Sequence, residues 1–104
     1  MARLRWTEPA LQDLDAIAEY IALDDAEAAG RFVRRVFERV ERLDRFPRSG
    51  RRPPELPRTP YRELVVPPCR VFYRLEGSVV HILHVMRAER LLRQDLLEQR
   101  DLDA

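Results

Sequence analysis

Apolar residues recur at two different periods along this chain. In Arg70–Arg87, RVFYRLEGSVVHILHVMR, two runs rich in β-branched and aromatic residues flank Glu76-Gly77-Ser78, the pattern of a β-hairpin. The second run, Val79–Met86, is apolar on both alternating faces, which predicts a central strand covered above and below. Nearer the start, Ala2, Leu4 and Trp6 alternate with Arg3 and Arg5 as a short strand with one buried face. The period then becomes helical. Thr7 reads as an N-cap with Glu8 and Pro9 in the first turn, and Ala10, Leu14, Ile17 and Ile21 stripe one face through about Leu23. Asp24, three residues before Glu27, has the spacing of a capping box and opens a second helix. Its stripe is Ala29, Phe32, Val33, Val36, Phe37, Val40 and Leu43, and Phe46-Pro47 ends it. The connection is short enough to make the two helices an antiparallel pair.

Pro47 to Pro60 holds five prolines and one glycine, so it predicts a stiff, extended loop. Tyr61–Val66 reads as a strand and Pro67-Pro68 as a turn into the hairpin. After Arg87 the sequence AERLLRQDLLEQR predicts a helix from Ala88 to about Arg100, with Leu92 and Leu96, flanked by Leu91 and Leu97, on one face. Asp101 to Ala104 are expected to fray, and the helix itself to be a movable flank. The order is β-α-α-β-β-β-α: an α+β fold in one domain over residues 1–104, with helices on a mainly antiparallel sheet. The pattern leaves the strand order open.

Composition changes this picture in three ways. No apolar run approaches the roughly 20 residues of a membrane span, and the start of the chain shows no apolar signal core, so the expectation is a cytoplasmic protein without a membrane partner. The lone Cys69 fits a reducing compartment and reads as a turn-flanking residue without a chemical role. The near-zero net charge hides a segregation. Residues 31–62 hold eleven arginines against Glu38, Glu41, Asp44 and Glu55, while residues 1–30 hold two against seven acids. Every base is arginine; without lysine, no amine serves as general base or Schiff-base nucleophile. On the second helix, Glu38–Arg42 and Glu41–Arg45 stand at i, i+4, the plain signature of a salt-bridged solvent face.

The candidate site residues lie on or near the predicted strands. Arg51 and Arg52 sit on the stiff loop; Arg62, Arg70 and Arg87 lie at strand ends. They form an anion-binding surface for phosphate or an acidic partner if they converge, and ordinary strand-end charge if they do not. Tyr73 reads as a core ring with its hydroxyl bonded. His81 and His84, three apart on a strand, are expected on opposite faces, unable to share a metal, and no other cluster has metal-ligand spacing. His84 is either a satisfied structural histidine or a proton-transfer group. No cofactor is expected.

Several residues in register carry a family resemblance: Trp6; Ala10, Asp13-Leu14, Ile17 and Tyr20-Ile21; Ala28-Ala29 and Phe32; Leu43, Phe46-Pro47 and Gly50-Arg51; Tyr61-Arg62, Val71-Phe72-Tyr73 and Ile82–Arg87. The chain resembles the RelE/ParE superfamily, the toxins of bacterial type II toxin–antitoxin pairs, and is closer to the ParE-like branch. The resemblance implies a helical hairpin on a curved antiparallel sheet with a C-terminal helix. It implies a cognate antitoxin whose disordered tail wraps the toxin as a hetero-oligomer, and roles in plasmid stabilization and growth arrest. The superfamily holds two activities. ParE-like members inhibit DNA gyrase; RelE-like members cut mRNA on the ribosome without a metal, using clustered Lys, Arg, Glu or His and a Tyr or His near the C-terminus. This chain has no lysine, and no Tyr or His follows His84. Gyrase inhibition therefore comes first. An endoribonuclease with His84, Arg87, Arg62 and Tyr73 as candidate catalytic residues comes second, and an inactive toxin-like binding module third. On the first reading the chain is not an enzyme.

Overall fold

Thr7 turns the chain from strand to helix. Its N–H and its hydroxyl both donate to the Ile82 carbonyl, at 3.1 and 2.7 Å, and the hydroxyl oxygen accepts from the Ala10 N–H at 3.4 Å. The computed structural model describes residues 1–104. It runs β1 (Arg3–Trp6), α1 (Glu8–Ala22), α2 (Ala26–Glu41), a 3-10 turn (Arg42–Asp44), β2 (Tyr61–Val66), β3 (Cys69–Glu76), β4 (Val79–Arg87) and α3 (Gln94–Leu102). The sheet order is β1-β4-β3-β2, with β1 parallel to β4 and the other pairs antiparallel. No helix is long and apolar enough to cross a membrane.

Three boundaries differ from the sequence pattern. The cap of α2 is Asp25, whose carboxylate accepts from the Ala28 N–H at 3.1 Å, because Asp24 still belongs to the turn that closes α1. The same helix gives way to the 3-10 turn well before Pro47. The C-terminal helix starts at Gln94 rather than Ala88, and Asp101 lies inside it. Residues 88–93 stay irregular because side chains hold their backbone: Glu55 accepts from the Leu92 N–H at 3.1 Å and Arg70 donates to the Arg90 carbonyl at 3.4 Å. Of the four leucines expected on one face, Leu92 and Leu97 are buried, Leu96 is half-buried and Leu91 is exposed.

β4 is central, as its two-sided pattern predicts, and the sheet carries a core on each face. On one, Val80, Ile82, Val85, Val71 and Tyr73 pack with Leu14 of α1 and with Phe32, Val36 and Val40 of α2. On the other, Phe72, Leu83, Met86 and Tyr61 pack with Leu92 and Leu97. The hairpin turn is Gly77-Ser78; Gly77 has φ 58°, the positive first position of a type II′ turn that glycine adopts without strain.

A bulge interrupts β4. Phe72 pairs with His84 and Tyr73 with Ile82, so Leu83 is an extra residue. The insertion shifts the alternation by one, so His84, opposite Phe72, shares a face with His81, opposite Arg74. The two histidines do not face opposite sides as unbroken alternation predicts.

Gly50 shows how tightly the Pro-rich loop is seated on the sheet. Its N–H donates to the Tyr73 hydroxyl at 2.9 Å, and that hydroxyl donates to the Pro47 carbonyl at 2.8 Å. A Cβ on Gly50 would stand 2.5 Å from the Tyr73 hydroxyl and 2.8 Å from the Glu63 carbonyl. Gly50→Ala is therefore expected to cost about 2 kcal/mol by overpacking. Gly30→Ala, inside α2 and meeting only the far end of Arg34 at 3.4 Å, is expected to gain about 0.5–1 kcal/mol. Urea unfolding of the two variants checks the pair.

Candidate functional site

β1 ends at Trp6, paired with Ile82, so the second half of β4 has no strand on that side. Side chains take the strand's place. Asp13 of α1 accepts from the Val85 N–H at 3.1 Å, from His84 Nδ1 at 2.8 Å and from both terminal nitrogens of Arg100, at 2.8 and 3.1 Å. Arg100 of α3 also donates to the Leu83 carbonyl at 2.9 Å. Burial raises the pKa of Asp13, but these bonds outweigh it and hold the carboxyl below its ordinary value. An ionised carboxylate only accepts, so Nδ1 of His84 carries the proton of this bond. The imidazole also stacks on Phe72, centroids 5.8 Å apart.

Along this edge runs a groove of about 810 Å³ between α1 and the connection into α3. Ile17, Tyr20, Leu91 and Leu96 supply apolar walls, and Arg87, Arg90 and Arg93 supply charge. Tyr20 and Leu91 are among the most exposed large apolar residues of the chain. Of the expected site residues only His84 and Arg87 lie here, and Arg87 donates to Glu89 at 2.7 Å.

The other candidates lie elsewhere and do not form one anion surface. Arg51 and Arg70 meet on the buried carboxylate of Glu63, at 2.9 and 2.6 Å. Arg70 also holds Glu55 bidentately, at 2.7 and 2.9 Å, and stands 4.9 Å above the Phe72 ring. Adding the Arg90 carbonyl, all five guanidinium donors are taken. Arg62 donates to the carbonyls of Arg48 and Gly50, and Arg52 to that of Thr59. Tyr73 is fully buried with its hydroxyl bonded at both ends, as the sequence suggests. Cys69 is buried rather than merely beside the turn, and burial pushes its thiol up to about 11. The Tyr61 hydroxyl donates to Asp101 at 3.2 Å; burial and that carboxylate push it up to about 12. Asp101 also accepts from Arg74 at 2.8 Å, which ties down the end of α3 that was expected to fray.

Asp13 and Tyr20, which line the groove, stand among the residues that carry the family resemblance, but no local pattern gives them or Arg100 a role. By pattern alone Asp13 is one more acid on an acidic helix, on the flank of the Leu14–Ile17 stripe. Arg100 reaches it across 87 positions, which no local pattern reports.

The Glu55–Arg70 pair gives the fold a defined acid sensitivity. The hydrogen bonds from Arg70 lower the Glu55 pKa from 4.5 to about 2. The folded state then binds this proton less readily than the unfolded chain, so the stabilisation is complete above the unfolded value and fades as pH falls through about 2. Asp13 acts in the same direction. Glu55→Gln is expected to cost about 1–3 kcal/mol near neutrality and to flatten the acid limb. Denaturant titrations at neutral pH and at pH 3 would show the two curves converging; parallel curves would remove the assignment.

Three comparisons bear on identity. Residues 4–92 match the family described as the ParE toxin of the type II toxin–antitoxin system parDE. The chain is 44% identical over 88 residues to the proposed toxin Y4kP of Sinorhizobium fredii, covering 83% of this chain and 88% of that one. It is 38% identical over 92 residues to toxin RelE2 of Caulobacter vibrioides, covering 88% of this chain and 100% of that one. Among solved structures it is similar to a chain of the chromosomal ParDE toxin–antitoxin system of P. aeruginosa, with TM-score 0.71 and 31% identity, covering 86% of this chain and 98% of that one. With this fold and these relatives, the chain belongs to the ParE toxin family of type II toxin–antitoxin systems, within the RelE/ParE superfamily.

Proposed function

We propose that this toxin arrests growth by docking on DNA gyrase, without chemistry of its own, and that a cognate antitoxin neutralises it by occupying the β4 groove. Arg70 carries the reading: the arginine best placed on the sheet to hold a phosphate has every donor engaged by Glu55, Glu63 and a backbone carbonyl. A site for phosphoryl transfer needs cations free to meet developing charge. Here Arg51, Arg70 and Arg74 are paired with carboxylates, Arg62 is held on two backbone carbonyls, and Tyr73 is sealed in the core. The β4 edge combines apolar walls, a strand with no neighbour strand, and three arginines at the surface, two of them paired with nearby acids (Arg87 with Glu89, Arg93 with Asp95), the features of a peptide-docking surface. An acidic antitoxin segment that orders on binding suits it. The family's description as one half of a toxin–antitoxin system supports a protein partner.

One observation favours the second reading, a ribosome-dependent endoribonuclease. A histidine oriented by a carboxylate, as His84 is by Asp13, is the geometry of a general base. Its weakness is the acid step, for which the groove offers only Tyr20 as a side-chain hydroxyl.

Purified toxin is expected to stop gyrase supercoiling or trap cleaved DNA while mRNA on translating ribosomes stays intact. Arg87→Ala should raise the concentration needed for inhibition by about tenfold, the effect of losing one contact side chain, and His84→Gln should change it far less. Codon-periodic cuts in ribosome-bound mRNA, abolished by His84→Gln, would give the endoribonuclease the first place. The antitoxin arm is separate. The product of the adjacent reading frame should form a complex at micromolar concentration that Leu91→Asp weakens, and failure of the unaltered toxin to bind it would sink that part.

A further inference from the structure

The outer face of α2 is a second, independent surface. Arg31, Arg35, Glu38 and Arg42 follow at spacings of four, three and four, which places them on one side of the helix, with Arg34 and Arg45 flanking. The inner side, Phe32, Val36 and Val40, is buried in the core, so the row stands on a rigid support. The two acid–arginine pairs that spacing suggests, Glu38–Arg42 and Glu41–Arg45, do not close. The one ion pair α2 makes is Glu27–Arg31, at 4.0 Å and open to water at both ends. Arg35 donates to the Pro67 carbonyl at 3.1 Å, which fixes it without neutralising it. α1, which packs against α2, has no base of its own and carries Glu8, Asp15 and Glu19 without a basic partner.

We propose that this face binds the phosphate backbone of duplex nucleic acid without reading its sequence. Guanidinium matches phosphate in its planar fork and gives up its hydration more readily than ammonium does. The row from Arg31 to Arg42 is roughly 16 Å long, about five base pairs of duplex. Acidic α1 disfavours a polyanion on the other helix of the hairpin. Nothing here involves the groove, to which α2 contributes no residue. The surface therefore stands apart from the identity of the toxin's target, and its test fails or succeeds separately from a gyrase assay.

The test is fluorescence anisotropy of the full chain with a labelled duplex DNA of about 20 base pairs, from roughly 50 to 200 mM salt. Log affinity is expected to fall linearly with log salt with a slope of about −3 to −4, the release accompanying about four phosphate contacts. Arg31→Gln with Arg42→Gln should flatten the slope by about two and weaken binding at least about tenfold at the lowest salt. Arg3→Gln with Arg58→Gln, the same charge change on exposed arginines elsewhere, should leave the slope unchanged. Glu38→Gln removes the one acid in the middle of the row and should tighten binding, which decides the matter even if the double variant does not fold. Absence of binding at the lowest salt, equal loss in the two double variants, weaker binding by Glu38→Gln, or competition by poly-aspartate as effective as by DNA would each overturn the proposal.

Discussion

The first strand is too short for the strand it pairs with. β1 stops at Trp6, opposite Ile82, yet β4 continues to Arg87. A buried strand with an open edge leaves amides and carbonyls that must be satisfied. The chain meets this with Asp13 on the Val85 N–H and Arg100 on the Leu83 carbonyl. Because Asp13 and Arg100 also bind each other, the repair joins α1 on one face of the sheet to α3 on the other. The bulge at Leu83 belongs to the same solution. It turns His84 onto the α3 face, where the ring meets Phe72 and its Nδ1 reaches Asp13. The groove is what remains of the edge once these contacts are made.

A chain whose only bases are arginines uses them in two distinct ways. Around Glu63 they are structural: a fully buried carboxylate is held between Arg51 and Arg70, and Arg70 in turn carries Glu55 and the backbone of residues 88–93. Such a cluster is costly to assemble and costlier to leave half-made, since removing one member strands a charge away from water. On the groove Arg87 and Arg93 meet only acids two positions away, Glu89 and Asp95, at the surface, and on α2 a single arginine, Arg31, meets a carboxylate. Equal sequence spacing cannot tell these uses apart; the difference lies in whether an acid from a distant element reaches the same place.

The sequence pattern shows the fold well and the site poorly, for one physical reason. Burial of apolar faces is periodic along the chain, so the strands, both helices of the hairpin and the central place of β4 follow from local patterns such as Ala10–Leu14–Ile17 and Val79–Met86. The parallel pairing of β1 with β4 depends on contacts separated by more than seventy residues, and so does the Asp13–His84 contact. The pattern places the start of α3 too early because leucines at helical spacing say nothing about Glu55 and Arg70 holding the preceding backbone. Alternation puts His84 on the wrong face because a single inserted residue reverses it, and Leu83 looks like any other apolar strand position.

The nine-residue α3 cannot be stable by itself, since helices of that length are marginal in water. It buries only Leu97 fully, and its other anchors are polar: Arg100 to Asp13, and Asp101 to Tyr61 and Arg74. A helix held this way is ordered by the far ends of its side chains rather than by a broad apolar face. Its position therefore depends on polar groups contributed by α1, β2 and β3, and one of them, Asp13, also lines the β4 groove. The wall of the groove and the seating of α3 thus share a single aspartate.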